Sequence, residues 1–251
     1  MKAQPNMIET PAPAGFSVDA RERLIVALDF PTANDALRMV DRLDGACQWF
    51  KVGLELYLAA GSSIVSTLKE RGFSVFLDLK LHDIPNTVAA AVRSVTPLGA
   101  DLLTVHALGG PEMLHAAAEA AGESTNSPRL LAVTVLTSMD HAQLTAIGVT
   151  ATPGDQALKL AVMAYAAGIG GFVCSPEEVP RMRSTLPDSI LVTPGIRPAG
   201  AELGDQKRVA TPGAAVAAGS SFLVVGRPIT QAHNPLEAVR HILDEIRAAG
   251  S

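Results

Sequence analysis

The hexapeptide DLKLHD, residues 78–83, places two carboxylates around an ammonium group at the end of an apolar run. Side chains two residues apart on a β-strand point to the same face, so we expect Asp78 and Lys80 to face together. Asp83 lies just beyond the predicted strand, and Lys51 from an earlier apolar run completes an array of two carboxylates and two ammonium groups. Buried charges persist when they are paired or when function retains them. This segment alone fits a structural ion-pair network and a reactive site equally well.

A second pattern is a glycine followed closely by an arginine at the ends of two other apolar runs. TPGIRP contains Arg197, and VVGRPIT contains Gly226 and Arg227. In α/β barrels, backbone amides after the seventh and eighth strands form the usual phosphate site, and a guanidinium adds a bidentate clamp. The pattern predicts phosphate binding at Gly226 and Arg227, with Arg197 close by or only at the rim.

Eight short apolar, β-branched runs are candidates for the strands that position these groups. They cover residues 24–29, 49–53, 74–79, 102–107, 130–136, 171–175, 190–195 and 222–226. The intervening segments repeat apolar residues at helical spacing and end on glycines typical of helix C-caps, at Gly72, Gly99, Gly168 and Gly219. Near-continuous apolar strands alternating with helices indicate a parallel sheet covered on its faces.

Eight strand–helix units favour a single-domain (β/α)8 TIM barrel over residues 21–251, preceded by a flexible lead-in over residues 1–20. An open doubly wound sheet is the main rival. It usually carries a glycine-rich turn after its first strand, where this chain has DFPTAND.

Composition excludes several classes of protein. The chain has 251 residues, of which 48% are hydrophobic and 18% charged, so it is too apolar to be disordered. A net charge of −5 argues against a nucleic-acid partner, and no apolar run approaches a membrane span or a secretory signal. Two cysteines make neither a disulfide scaffold nor a zinc site. We therefore expect a cytoplasmic protein.

Chemistry in such a barrel lies at the C-terminal strand ends, where Asp29, Lys51 and residues 78–83 fall. His106 also ends a strand and is expected to be a hydrogen-bonded structural histidine. We expect no metal at residues 78–83, because a protonated Lys80 competes with a cation for the carboxylates.

FLDLKLHDIPNTV resembles the signature of the orotidine 5'-phosphate decarboxylase family. ALDFPT, FKVGLELY, VTVLTS, VTPGIRP, GDQKRVATP and VVGRPIT follow in the family's order, over roughly residues 23–245. The resemblance implies decarboxylation of orotidine 5'-phosphate to uridine 5'-phosphate in de novo pyrimidine biosynthesis, without cofactor or metal.

The resemblance also implies roles for the charged array. Asp29 and Lys51 would hold the ribose hydroxyls, Asp78 would face the substrate carboxylate, and Lys80 would donate the proton. Loss of CO2 leaves a carbanion at C6 with no π-system to delocalise it, so the site must act electrostatically.

Further roles implied by the resemblance concern a partner subunit and the rest of the substrate. Asp83 and Thr87 would reach into the partner's site of an obligate homodimer, and Ser138 would hydrogen-bond the pyrimidine edge. Gln206, on the loop Pro198–Gln206, would contact the phosphate together with Gly226 and Arg227, near Arg197.

Two other functions remain open at this point. Related barrels that share D-x-K-x-x-D include magnesium-dependent sugar-phosphate decarboxylases and epimerases. A phosphate-binding barrel without activity is the second alternative, although a pure binder has no need of a lysine between two aspartates.

Overall fold

The computed structural model describes residues 19–43, 45–198 and 208–249. Within these ranges, eight parallel strands follow one another in sequence order around a closed barrel, and the eighth pairs with the first. The predicted (β/α)8 barrel is confirmed. The doubly wound alternative is wrong, because an open sheet would leave two unpaired edges.

Each of the eight predicted runs overlaps an observed strand. The strands are β1 (Leu24–Ala27), β2 (Trp49–Gly53), β3 (Ser74–Leu81), β4 (Leu102–His106), β5 (Arg129–Val133), β6 (Gly171–Val173), β7 (Ile190–Thr193) and β8 (Phe222–Val225). The predicted ends differ most for β5, which stops at Val133 instead of residue 136. Its neighbour β6 ends at Val173, whose carbonyl accepts from the Thr134 amide at 3.4 Å, so residues 135–136 have no residue of β6 to pair with.

The helices lie between the strands, as the apolar spacing predicts. They are α1 (Ala33–Arg42), α2 (Leu54–Ala60), α3 (Ser63–Glu70), α4 (Pro85–Val95), α5 (Gly110–Gly122), α6 (His141–Ala146), α7 (Pro153–Ala166), α8 (Val179–Thr185), α9 (Pro212–Ala217), α10 (Arg227–Thr230) and α11 (Pro235–Ala249), with 3-10 turns at Ala20–Glu22, Thr96–Leu98 and Ala107–Gly109. The four predicted C-cap glycines all have positive φ, between 70° and 106°. A side chain with a Cβ is strained there, which explains glycine at these helix ends.

Alternating residues of the strands build two apolar layers. The barrel interior is filled by Ile25, Ala27, Phe76, Leu102, Leu131, Ile190, Val192, Phe222 and Val224. Residues between them, such as Val26 and Leu77, belong to the layer beneath the helices. Among the residues that face the barrel interior, Asp29 follows Ala27 of β1 by two positions, and Asp78 follows Phe76 of β3 by two positions. The charged groups therefore lie directly above the apolar interior.

The predicted lead-in over residues 1–20 lies almost wholly outside the described residues. Ala20 is buried and belongs to the hydrophobic core. In the described ranges, no helix combines the length and the apolar character that crossing a membrane requires.

Candidate active site

A chain of alternating charges lies at the C-terminal ends of β1, β2 and β3. The Lys51 ammonium is 2.9 Å from Asp29 Oδ1 and 3.5 Å from Asp78 Oδ2, and the Lys80 ammonium is 2.8 Å from Asp78 Oδ1. The structure therefore brings together four of the predicted site residues. Asp78 is the centre of the array, since each of its oxygens faces a different ammonium group.

An irregular strand end positions Lys80. Between the pairs Leu77–Leu103 and Leu81–Val105, the register of β3 against β4 shifts, and Lys80 has a positive φ of 50°. The Lys80 amide donates to the hydroxyl of Thr104 at 2.8 Å instead of to a ladder carbonyl. The alternation of side chains along a strand therefore explains only part of why Asp78 and Lys80 face together. The irregularity in β3 also changes the direction of the Lys80 side chain.

Thr104 was not singled out from the sequence, although it is a polar residue inside the apolar run LLTVH. It is completely buried, and its hydroxyl donates to Asp78 Oδ1 at 3.0 Å while accepting from the Lys80 amide. One hydroxyl thus fixes the carboxylate and the backbone of the lysine that flanks it.

Opposite charges within the array stabilise the charged forms of Asp78 and Lys51. Burial alone would raise the pKa of Asp78, but attraction to the Lys51 and Lys80 ammonium groups outweighs burial and holds that pKa below its usual value. Burial likewise opposes protonation of Lys51, yet Asp78 and Asp29 raise its pKa above the ordinary value. The array therefore favours the cationic form of Lys51 and the anionic form of Asp78.

Gly53 leaves space for the array, and Gly226 lies beside it. A Cβ added to Gly53 would be 2.7 Å from the Lys51 ammonium and 3.1 Å from Asp29 Oδ1, so the missing side chain makes room for this ion pair. A Cβ on Gly226 would lie 3.9 Å from Asp29 Oδ2. The end of β8 therefore approaches the array at Asp29.

The predicted phosphate residues lie at the ends of β7 and β8. Arg197 is buried, and its Nη1 donates to the Ile196 carbonyl at 2.9 Å. Burial, together with repulsion from the exposed Arg227, lowers the pKa of Arg197. Arg197 and Arg227 follow the neighbouring strands β7 and β8, so an anion bound between them would meet two cationic groups. Gln206 falls outside the described residues.

The remaining predicted residues are not drawn into the array within one chain. Asp83 is exposed, and its Oδ1 accepts a hydrogen bond from the Ile84 amide at 2.6 Å. Thr87 on α4 and Ser138 in the turn after β5 are also exposed. Among the described residues, Asp83 has no ion-pair partner.

His106 has the structural environment that was expected of it. Its Nδ1 accepts from the Leu108 amide at 3.3 Å, and its ring stacks on His82 with centroids 5.2 Å apart. Burial, His82 and Lys80 together lower the pKa of His106, which keeps the imidazole neutral. Within the described ranges, no group of three or more His, Cys, Asp or Glu is placed to hold a metal ion.

Fold and site together define a (β/α)8-barrel protein that carries a buried Asp–Lys array at its C-terminal face, beside a pair of guanidinium groups. Residues 22–242 match the sequence model of the Orotidine 5'-phosphate decarboxylase / HUMPS family, and the chain belongs to this family.

Proteins named orotidine 5'-phosphate decarboxylase are similar to it over almost their whole length. The one from Halorhodospira halophila is 53% identical over 236 residues, which cover 94% of this chain and 100% of that protein. The one from Nitrosococcus oceani is 51% identical over 227 residues, covering 90% and 98% respectively. The crystal structure of orotidine 5'-phosphate decarboxylase from Lactobacillus acidophilus matches with a TM-score of 0.78 and 39% identity, covering 89% of this chain and 98% of that chain.

Proposed function

We propose that the chain is a carboxy-lyase that converts orotidine 5'-phosphate to uridine 5'-phosphate, the decarboxylation step of de novo pyrimidine biosynthesis. The relatives that match it over almost their whole length carry this name. The observation that carries the mechanism is the engagement of Asp78 by two ammonium groups, from Lys51 and Lys80. We assign the reaction to the cytoplasm and to the protein alone, without a cofactor.

The reaction at C6 uses the two residues at the end of β3. As the bond between C6 and the carboxylate breaks, its electron pair stays on C6 and CO2 leaves. The Lys80 ammonium stabilises the developing negative charge and then transfers its proton to C6. Asp78 holds that ammonium in place at 2.8 Å and faces the substrate carboxylate, so that losing CO2 relieves a repulsion between two anions.

Substrate binding uses the residues around this centre. Asp29 and Lys51 hold the ribose hydroxyls, and Ser138 hydrogen-bonds the pyrimidine edge. The phosphate lies on the Gly226 amide and on Arg227, near Arg197, with Gln206 as a further contact. Because the phosphate is remote from C6, its binding free energy can offset the repulsion at the reacting end.

The donor set distinguishes this reaction from a magnesium-dependent one on the same barrel. Asp78 Oδ1 is engaged by Lys80 and Thr104, and Asp78 Oδ2 faces Lys51. A metal cation would have to displace an ammonium group from the Asp78 carboxylate. This supports the Lys80 ammonium as the group that stabilises the charge at C6.

The experiment that tests the function is turnover of orotidine 5'-phosphate in excess EDTA, followed by loss of substrate absorbance. We expect the same rate with and without the chelator. Turnover of orotidine 5'-phosphate that disappears with EDTA and returns with magnesium would contradict the metal-free role of Lys80. Absence of turnover under both conditions would favour a sugar-phosphate decarboxylase or epimerase, or a binding protein.

We further propose that the active enzyme is a homodimer with shared sites. Large apolar side chains are exposed on α2 and beside Asp83, with Leu58 80% and Ile84 67% exposed. Exposed apolar side chains that lie together are typical of an interaction surface. In a two-fold dimer these side chains of the two subunits would cover each other, and Asp83 and Thr87 would reach the partner's site.

Mixed dimers test the sharing of the site. Lys80→Ala and Asp83→Ala homodimers should each be nearly inactive, since each change spoils both sites. After subunit exchange, half of the dimers are mixed and have one intact site, so activity should recover to about a quarter of the wild-type value. If exchange occurs and no activity returns, Asp83 acts within its own chain.

A further inference from the structure

A cavity of about 700 Å³ opens at the N-terminal ends of the barrel strands, opposite the charged array. Its floor is formed by apolar side chains of the barrel interior, from Trp49 of β2, Leu102 of β4, Ile190 of β7 and Phe222 of β8. Each of these residues is the first of its strand, whereas the array lies where the strands end. The apolar interior of the barrel therefore separates this cavity from the candidate active site.

Two aromatic rings form part of the floor. Trp49 and Phe222 pack edge to face, with ring centroids 5.0 Å apart. Trp49 is only half-buried, so part of its indole ring remains open to the cavity. Aromatic side chains that are held in place by each other favour a flat apolar ligand, because such a ligand can pack on them without rearranging them.

A guanidinium group lies at the rim of the cavity. Arg129 begins β5 two residues before Leu131, which faces the barrel interior, so the alternation of the strand directs Arg129 to the same side. Its pairing partner on β4, Leu102, also faces the interior. The carboxylate of Asp101, which lines the cavity too, pairs with Lys69 at 2.7 Å. Among the residues that the structure describes, Arg129 itself has no ion-pair partner.

One wall of the cavity is polar but uncharged. It includes residues 124–127, the turn that leads into β5. The hydroxyls of Ser127 and Thr96 share a hydrogen bond of 3.1 Å, and the Asn126 amide donates to the Ser124 hydroxyl at 3.2 Å. These hydroxyls and amides can hydrogen-bond the oxygen atoms of a ligand without adding a charge to the cavity.

We propose that this cavity binds a small aryl carboxylate, with its rings against Trp49 and Phe222 and its carboxylate on the Arg129 guanidinium. A guanidinium matches a carboxylate in a bidentate pair, and a ligand with one negative charge fits a cavity with one unpaired cation. Sites for molecules of two or three rings typically have volumes of about 300–1,000 Å³, which include that of this cavity. No residue assigned above to orotidine 5'-phosphate lines the cavity, so binding here is independent of the proposed function.

The emission of Trp49 reports binding directly, because Trp49 is the single tryptophan of the chain. Biphenyl-4-carboxylate is the probe, and biphenyl-4-carboxamide is a neutral molecule of the same shape. We expect a saturable change in the emission of Trp49 with both molecules. The Kd should be at least about threefold lower for the carboxylate, the preference that a partly exposed ion pair gives.

Arg129→Gln removes the positive charge from the rim and should abolish this preference, so that the two molecules bind within about 1.5-fold of each other. Arg42→Gln is the matched control. Arg42 is also exposed, and it lies at the end of α1 from which the chain returns to the start of β2, but it does not line the cavity. This variant should keep the wild-type preference for the carboxylate.

Three results would overturn the proposal. The first is the absence of a saturable change in Trp49 emission up to millimolar biphenyl-4-carboxylate. The second is equal binding of the two molecules by the wild-type protein, or a preference for the carboxylate that survives in Arg129→Gln. The third is a Trp49 that acrylamide does not quench in the protein alone, since the cavity would then already be filled. Quenching that appears on dilution would identify a second copy of the chain as the occupant.

Discussion

Replacing Thr104 with valine removes one hydroxyl from the interior and keeps the shape of the side chain. The Asp78 carboxylate then loses a donor at 3.0 Å, and the Lys80 amide loses its acceptor at 2.8 Å. A hydrogen bond to a charged group contributes about 1.5–3 kcal/mol and a neutral one about 0.5–1.5 kcal/mol. We therefore expect Thr104→Val to lower the free energy of unfolding by about 2–4.5 kcal/mol.

Thr104→Val should also lower turnover, because the Lys80 backbone has a positive φ that the Thr104 hydroxyl helps to hold. If the misplaced ammonium loses about 1.4–2.8 kcal/mol of its interaction with the transition state, kcat falls about 10–100-fold. Thr104→Ser keeps the hydroxyl and should retain most of the stability and most of kcat.

Urea unfolding and steady-state turnover of orotidine 5'-phosphate measure the two effects of Thr104→Val separately. Stability within about 0.5 kcal/mol of wild type, together with unchanged kcat, would refute the role given to this hydroxyl. A serine variant as impaired as the valine variant would show that packing of the methyl group, and not hydrogen bonding, matters.

Three further substitutions probe other parts of the site. Gly53→Ala should displace the Lys51 ammonium and lower kcat/KM at least about tenfold with little change in Tm, whereas Gly154→Ala, which meets open space, should change neither. His106→Asn can keep the cap at the end of β4. Burial, His82 and Lys80 hold the pKa of folded His106 below its unfolded value near 6.5, so the folded protein binds fewer protons than the unfolded chain. Wild-type stability in urea should therefore fall more steeply than that of the variant as the pH drops below about 6.5. Arg227→Ala should reduce kcat/KM for orotidine 5'-phosphate by a factor equivalent to about 1.5–3 kcal/mol of transition-state stabilisation, and it should leave kcat/KM for orotidine nearly unchanged. Equal losses on both substrates would mean that Arg227 does not bind phosphate.

The barrel follows from the sequence because its strands are buried on both faces. Burial on both faces requires near-continuous apolar runs, which are visible without a structure, and the glycines at helix ends mark where each unit turns. Strand ends are less predictable. β5 stops at Val133 because its neighbour β6 ends at Val173. The end of a strand thus depends on its pairing partner, which the local sequence does not reveal.

The charged centre is predictable where its residues share a short motif. Asp78 and Lys80 lie two residues apart, and Lys51 lies two residues before Gly53 in another apolar run. Thr104 escapes such reasoning, because it acts on residues distant in sequence. Thr104 meets Asp78 across 26 positions, so only the folded barrel reveals this contact.

The central claim is that the Lys80 ammonium, held by Asp78, stabilises the charge at C6 and supplies the proton. A unit charge about 4 Å from the developing anion is worth about 4 kcal/mol at an effective dielectric near 20. The direct measurement is kcat of Lys80→Ala with orotidine 5'-phosphate, together with the Kd of uridine 5'-phosphate. The account predicts that kcat falls at least about a thousandfold while Kd changes less than about tenfold. A variant that keeps kcat within about tenfold of wild type would contradict it.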